Sequence, residues 1–370
     1  MVNEAFTKFR KSLKNKEQRE VLDRLLHKHS EECKKAINAE IDTDQRHTTI
    51  LNMCAYAFSE SGPLRTTGYH FIRVEPLYDY RGEKGNKIFD LVLYNNQNKK
   101  AILIECKSRM GTPGDILKDL ADQIANTNDH KTELEEEVGG EIDDIEFVIC
   151  SIPQDIEELA RVVSDEPVIL WSVDLFHFTL KLFNFGKDNG ELIAKKQLHQ
   201  DQNLREQLYE KTESRGQIEG TKITPSSHFC RILSRIFVKI TQQILFKSSG
   251  EEKRFWLNDL TKVVSEELPW CEQNDVDRIT EEIYKNSIEL KLINIVQEKE
   301  NPKDIEFGLK MGARNSKVVE QNVIDKYIES RCKERSPILA IAEYQKAVAE
   351  SPGSLDYQFA KAEENSSEDK

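Results

Sequence analysis

A chain of 370 residues is long enough for two or three domains with their own cores. Its composition, 38% hydrophobic and 32% charged, is that of a soluble protein and excludes a bundle of membrane spans. A net charge of −13 sits awkwardly with broad neutralisation of nucleic-acid phosphates, so any such contact must come from local basic clusters.

The first 45 residues read as helical. Phe6, Phe9 and Leu13 share one face, and Val21, Leu22, Leu25 and Leu26 share another. Lys8, Arg10, Lys11, Lys14, Lys16 and Arg19 make this stretch basic. His27, His29 and Cys33 do not form a metal site, because 27 and 29 lie on different helix faces and no second ligand pair follows. The N-terminus shows no apolar leader. Seven scattered cysteines without a C-x-x-C predict reduced thiols and a cytoplasmic protein. The longest apolar run, 168–183, is broken by Asp174, His177 and Lys181.

A core is expected over 46–185. Its helices are predicted near 48–60, 115–126 and 156–164, and its strands near 70–80, 87–94, 101–108, 146–151 and 168–173. The segment 133–146 is acidic. Two of these strands carry charge where apolar residues belong. Asp90 lies in the run Ile88-Phe89-Asp90-Leu91-Val92-Leu93, and Glu105 and Lys107 end the run Ala101-Ile102-Leu103-Ile104-Glu105-Cys106-Lys107.

A buried carboxylate is costly unless something compensates it. Glu105 and Lys107 are two apart and share one sheet face, and a hairpin brings Asp90 opposite them. Two carboxylates suit a hard divalent cation such as Mg²⁺, with Mn²⁺ as a substitute. The neighbouring lysine suits stabilisation of developing negative charge or handling of an attacking water. The combination points to metal-assisted phosphodiester hydrolysis.

This pattern, Asp90 followed by Glu105-Cys106-Lys107, resembles the PD-(D/E)XK nuclease superfamily. The likeness extends over positions 46–185 through the element order α-β-β-β-α-β. Ile88-Phe89 stands where that family often has a Pro before the Asp. The resemblance implies an α/β, restriction-endonuclease-like mixed sheet flanked by helices. It implies Asp90, Glu105, Lys107 and Gln123 as catalytic residues. It also implies a metal held by Asp90, Glu105 and the Cys106 carbonyl, with Glu60 of the first helix as a further ligand. The Cys106 side chain points to the other face and reads as core. DNA contacts are expected from the basic loop residues Arg81, Lys84 and Lys87, which lead into the Asp90 strand, and from Arg109.

Beyond the core, 186–224 is polar and reads as a linker with a helix near 202–211. A second, mostly helical domain is expected over 225–335. Helix 229–246, a short strand at 255–257, a capped helix to Leu268, helix 275–287 and strands 290–296 and 305–311 follow in turn, with a turn at 300–304. That order resembles a winged-helix domain in topology only. Its third helix is acidic, with Asp275, Asp277, Glu281 and Glu282 against Arg278 and Lys285, and so suits a partner protein or a homodimer contact better than a DNA groove. The helix 315–335, bearing Lys317, Lys326, Arg331, Lys333 and Arg335, is the better basic surface. The remainder, 336–370, reads as helix and an acidic disordered tail.

Two functions of different class follow. The first is a Mg²⁺-dependent DNA endonuclease of restriction, defence or repair type. The second is a non-catalytic adaptor that uses a nuclease-like fold to bind nucleic acid or protein.

Overall fold

The computed structural model describes residues 2–77, 87–183, 187–188, 191–192, 198–210, 212–218, 220–247, 254–297, 305–309 and 315–350. After α1 (Val2–Ser12) comes α2 (Lys16–Ala57), a helix of 42 residues. Asn15 caps α2 by accepting the Glu17 N–H at 2.9 Å, and Gln18 reaches back to the Asn15 N–H, so the first-turn donors are satisfied.

The elements of the core then follow in order. They are β1 (His70–Val74), β2 (Leu91–Asn95), β3 (Lys100–Lys107), α3 (Pro113–Asp129), α4 (Lys131–Val138), β4 (Asp144–Ser151), α5 (Ile156–Val162), β5 (Val168–Asp174) and β6 (Thr179–Leu182). A minimal pair, β7 (Lys187–Asp188) and β8 (Glu191–Leu192), precedes α6 (Gln202–Tyr209) and β9 (Thr212–Glu213).

The architecture is mixed α/β. One seven-stranded sheet runs in the order β1-β2-β3-β4-β5-β6-β9. β3, β4 and β5 are parallel, and the outer pairings are antiparallel. Residues 101–106 of β3 are all buried, as expected for a strand covered on both faces. Ile102, Ile104 and Cys106 pack with Ile50, Leu51 and Cys54 of α2. Ala101 and Leu103 pack with Ile116 and Leu120 of α3 and Leu159 of α5.

The C-terminal part contains α7 (Phe229–Lys247), β10 (Arg254–Trp256), α8 (Leu257–Glu267), α9 (Gln273–Glu289), β11 (Ile293–Gln297), β12 (Glu306–Leu309) and α10 (Ser316–Glu350). Its small sheet has the order β10-β12-β11. The core beneath it joins Leu233 and Ile236 of α7, Val263 of α8 and Ile283 of α9 to Val323 of α10 and, from the middle of α2, Ile37 and Ile41.

Several sequence expectations change in physical detail. The helix expected over 48–60 is the last quarter of α2, which ends at Ala57, so a boundary at 45 would cut an unbroken helix that serves two cores. The stretch 186–224, read as a linker, is packed over much of its described length. His199 is buried between the Trp171 indole N–H at 2.9 Å and Glu146 at 2.5 Å. Ser214 donates to the Met53 carbonyl at 2.7 Å, and Thr221 donates to Asn52 at 2.7 Å. Its polar groups are satisfied inside the fold, so polarity did not signal exposure.

The first strand ends at Val74 rather than near 80, and the acidic segment contains α4 and the start of β4. The helix expected to end at 335 continues to Glu350. The turn at 300–304 and the tail 351–370 lie outside the described residues.

Candidate active site

The site forms at the end of β3 nearest Lys107. β2 and β3 pair antiparallel, with Leu91 opposite Ile104, which puts Asp90 beside Glu105. Backbone contacts hold Asp90 in place. Its N–H donates to the Ile104 carbonyl at 2.9 Å, and its carbonyl accepts the Glu75 N–H at 2.7 Å. The Asp90 carboxylate accepts the Cys106 N–H at 2.5 Å. Across the strand end, the Lys107 ammonium donates to Glu105 Oε1. Gln123 enters from α3, and its amide donates to Glu105 Oε2 at 2.6 Å and to the Ile88 carbonyl at 2.8 Å. Asp90, Glu105, Lys107 and Gln123 therefore meet at one place.

A fifth residue, absent from the sequence reading, completes the cluster. His47 of α2 places Nε2 3.1 Å from Asp90 Oδ2. A signal was available for it. Ile50, Leu51, Cys54 and Phe58 form the buried stripe of α2, and His47 continues that stripe one turn earlier. A histidine on a core-facing stripe needs a polar partner.

The charges respond to one another. Burial alone would lower the His47 pKa, but the adjoining Asp90, with Glu105 and Asp44 behind it, holds it up at about 9. Burial pushes Asp90 up, yet His47, the Cys106 N–H and Lys107 outweigh it and keep the carboxyl below its ordinary value. Burial and the Asp90 charge raise Glu105, against the pull of Lys107. Burial opposes the charge on Lys107, while Glu105, Asp90 and Asp119 hold its pKa above the ordinary lysine value. Two carboxylates thus face two cations.

The remaining sequence candidates fall as follows. Glu60 does not join the site. It lies beyond the end of α2, whose last residue is about 15 Å along the helix axis from His47, and is exposed. The Cys106 side chain lies in the core with Cys54 and Cys150, and burial pushes its thiol up, which leaves it unsuited as a nucleophile. Lys87 is beside the site, with Nζ 3.7 Å from Asp119, one turn before Gln123 on α3. Arg109 is exposed just past β3. Arg81 and Lys84 lie outside the described residues. On α10 much of the expected basic surface is engaged internally. Arg331 donates to Asn286 at 3.1 Å and sits over the Tyr327 ring, Lys326 donates to the Lys291 carbonyl at 3.1 Å, and Lys333 pairs with Glu329 at 2.6 Å.

No family model and no solved structure matches the chain. A stretch of 134 residues is 31% identical to an uncharacterized protein of Archaeoglobus fulgidus, covering 35% of this chain and 36% of that relative. The chain thus matches about a third of the relative's length. Among the described residues no helix is long and apolar enough to cross a membrane.

The donor set suits a hard cation. Among the described residues no group of three or more His, Cys, Asp or Glu side chains is arranged to hold a metal ion. An ion such as Mg²⁺ needs only one or two carboxylates and completes its shell with water and substrate phosphate. Asp90 and Glu105 are the two carboxylates that could supply them. The Cys106 N–H faces Asp90, and in an extended strand the carbonyl of the same residue points to the same edge, so it lies on the side of the carboxylates.

The His47–Asp90 pair makes folding depend on pH. The His47 pKa is raised from 6.5 to about 9, so its contribution is complete below about pH 6.5 and is lost as pH rises through about 9. In EDTA, wild-type thermal stability is expected to fall across that window by on the order of 2 kcal/mol, and His47→Gln to show a flatter profile. Melting curves of both proteins from neutral to alkaline pH check this. Equal slopes would show that the pair does not stabilise the fold.

Proposed function

We propose that the chain is a divalent-cation-dependent DNA endonuclease of the PD-(D/E)XK superfamily, of restriction, defence or repair type. The observation that carries this reading is the meeting of Asp90, Glu105, Lys107 and Gln123 at one end of the central sheet. The helix-strand order around them and the parallel β3-β4-β5 unit support the restriction-endonuclease-like fold.

In this reading Asp90 and Glu105 hold the cation, with the Cys106 carbonyl as a further ligand. When bound, such an ion polarises the phosphoryl oxygen and makes a water acidic enough to attack near neutral pH. The protein's own groups do the rest. Gln123 fixes one Glu105 oxygen and so sets the rotation of the carboxylate. His47 and the Cys106 N–H hold Asp90 ionised and in place. Lys107 remains an ammonium, which fits stabilisation of negative charge on the phosphate rather than removal of a proton from water.

Charge balance favours a phosphodiester. The two carboxylates cancel His47 and Lys107, so an added divalent cation leaves the site positive and attractive to phosphate. Lys87 and Arg109 flank this end of the sheet, and Arg81 and Lys84 shortly precede Asp90 in the sequence. The winged-helix-like C-terminal domain presents the acidic α9, whose Arg278 and Lys285 pair with Asp275 and Glu281. That surface suits a protein partner or a second copy better than a duplex groove.

The test is nicking of supercoiled plasmid in Mg²⁺, Mn²⁺ or EDTA. Nicking in either metal and none in EDTA is expected. DNA binding without nicking in any metal would favour the adaptor reading.

A further inference from the structure

The turn between β5 and β6 carries an aromatic side chain that the proposed chemistry does not use. Phe176 is 84% exposed, the highest value among the large apolar side chains of the described residues. Isolated exposed apolar residues are ordinary on proteins. This one sits on a turn with a fixed shape. Asp174 Oδ1 accepts the N–H groups of Phe176 at 2.9 Å and His177 at 3.0 Å, and Asp174 Oδ2 meets the His177 ring at 2.6 Å.

Phe178 closes the turn with φ of 54°, a left-handed conformation that bulky residues rarely adopt. Its carbonyl accepts the Ser214 N–H at 2.8 Å, which ties the turn to the chain leaving β9. The turn backbone is therefore held in place, and the Phe176 ring rests edge-on against the His177 ring with centroids 4.9 Å apart.

Its position follows from the sheet. β3, β4 and β5 are parallel and aligned, with Lys107 beside Ser151 and Ser151 beside Ser172. The turn beyond β5 thus lies at the same end of the sheet as Lys107, two strand spacings or roughly 10 Å across. Phe176 lies four residues beyond Ser172, so it stands several nucleotide steps, of about 3.4 Å each along one strand, from Lys107. Charged groups accompany it. Phe178 lines a crevice of about 340 Å³ together with Arg215, Lys222 and Glu320, and Arg215 pairs with Glu213 at 3.4 Å.

An exposed ring on a fixed turn, at the same end of the sheet as Lys107, matches how proteins stack on bases. One π-face is enough for stacking, whereas docking of a protein needs a contiguous apolar patch of several hundred Å².

We propose that Phe176 stacks on a base of the DNA a few nucleotides from the scissile phosphate, holding a step that is unpaired or kinked. This rests on the nuclease reading above. The experiment separates the two. Full-length protein in EDTA is titrated with a short duplex and with the matching single strand, each carrying 2-aminopurine at successive positions. Anisotropy reports binding, and 2-aminopurine intensity reports the stacking of the labelled base.

Wild type is expected to change the intensity at one or two adjacent positions. Phe176→Ala is expected to lose that change and to bind roughly ten-fold or more weakly, while Phe176→Trp restores both. Because Phe176 is exposed, neither substitution should alter the melting temperature. Wild-type binding with an unchanged response in Phe176→Ala would overturn the inference and leave the nuclease reading standing. No binding of either oligonucleotide by wild type would overturn both. Equal weakening by Phe176→Ala without any positional signal would also overturn it, by making the ring a general contact.

Discussion

Glu105→Gln is expected to reduce metal-dependent cleavage by at least about 10³-fold, and Asp90→Asn to do the same, because each removes one of the two carboxylates that would hold the cation. The two variants should differ in stability. Glu105 is held above its ordinary pKa by burial and by the Asp90 charge, so replacing it with an amide relieves repulsion and keeps a partner for Gln123. Asp90 is the partner of His47. Removing its charge leaves a half-buried imidazolium uncompensated, at a cost on the order of 1–3 kcal/mol at neutral pH. The His47 contact separates the two substitutions. Nicking rates in Mg²⁺ beside melting curves in EDTA give both quantities. Glu105→Gln that cleaves at the wild-type rate would remove Glu105 from the metal site.

Much of this site was legible before any coordinates because its residues break a local rule. Glu105 and Lys107 interrupt an apolar strand, and Asp90 interrupts another, so each stood out against its immediate neighbours. The hairpin between them is short, and short-range pairing brings the three together with little dependence on the rest of the fold. Gln123 was legible only through the family resemblance, since nothing in its own helix singles it out.

His47 was harder. It comes from a helix far upstream, and the contact with Asp90 exists only because α2 packs its Ile50–Cys54 stripe onto β3. Glu60 was misplaced for the same reason. The register of α2 on the sheet decides which of its polar residues reaches the strand ends, and sequence does not show that register. The segment around His199 and Ser214 misled in another way, because its polar side chains are hydrogen-bonded partners of the core rather than solvent-facing groups.

Lys107→Ala gives the sharper test of mechanism. The Lys107 ammonium pairs with Glu105 and keeps its proton despite burial, because three carboxylates outweigh desolvation. In the proposed nuclease its contribution would be a fixed positive charge at the place where the phosphate gains negative charge. Loss of one such group typically costs on the order of 10²–10³ in rate. Ground-state DNA affinity should change far less, since one phosphate contact among many is lost. Lys107→Arg is expected to recover little. The planar guanidinium is larger and cannot occupy the same point beside Glu105 while leaving Gln123 in place. Glu105 also loses its cation in Lys107→Ala, so its pKa should rise further and the rate should gain a steeper dependence on pH in the acidic limb. Single-turnover cleavage against pH, with binding measured separately in EDTA, resolves these effects. A near-normal rate in Lys107→Ala would make the Glu105–Lys107 pair a structural ion pair, and the charge-balanced cluster would then favour a binding module over an enzyme.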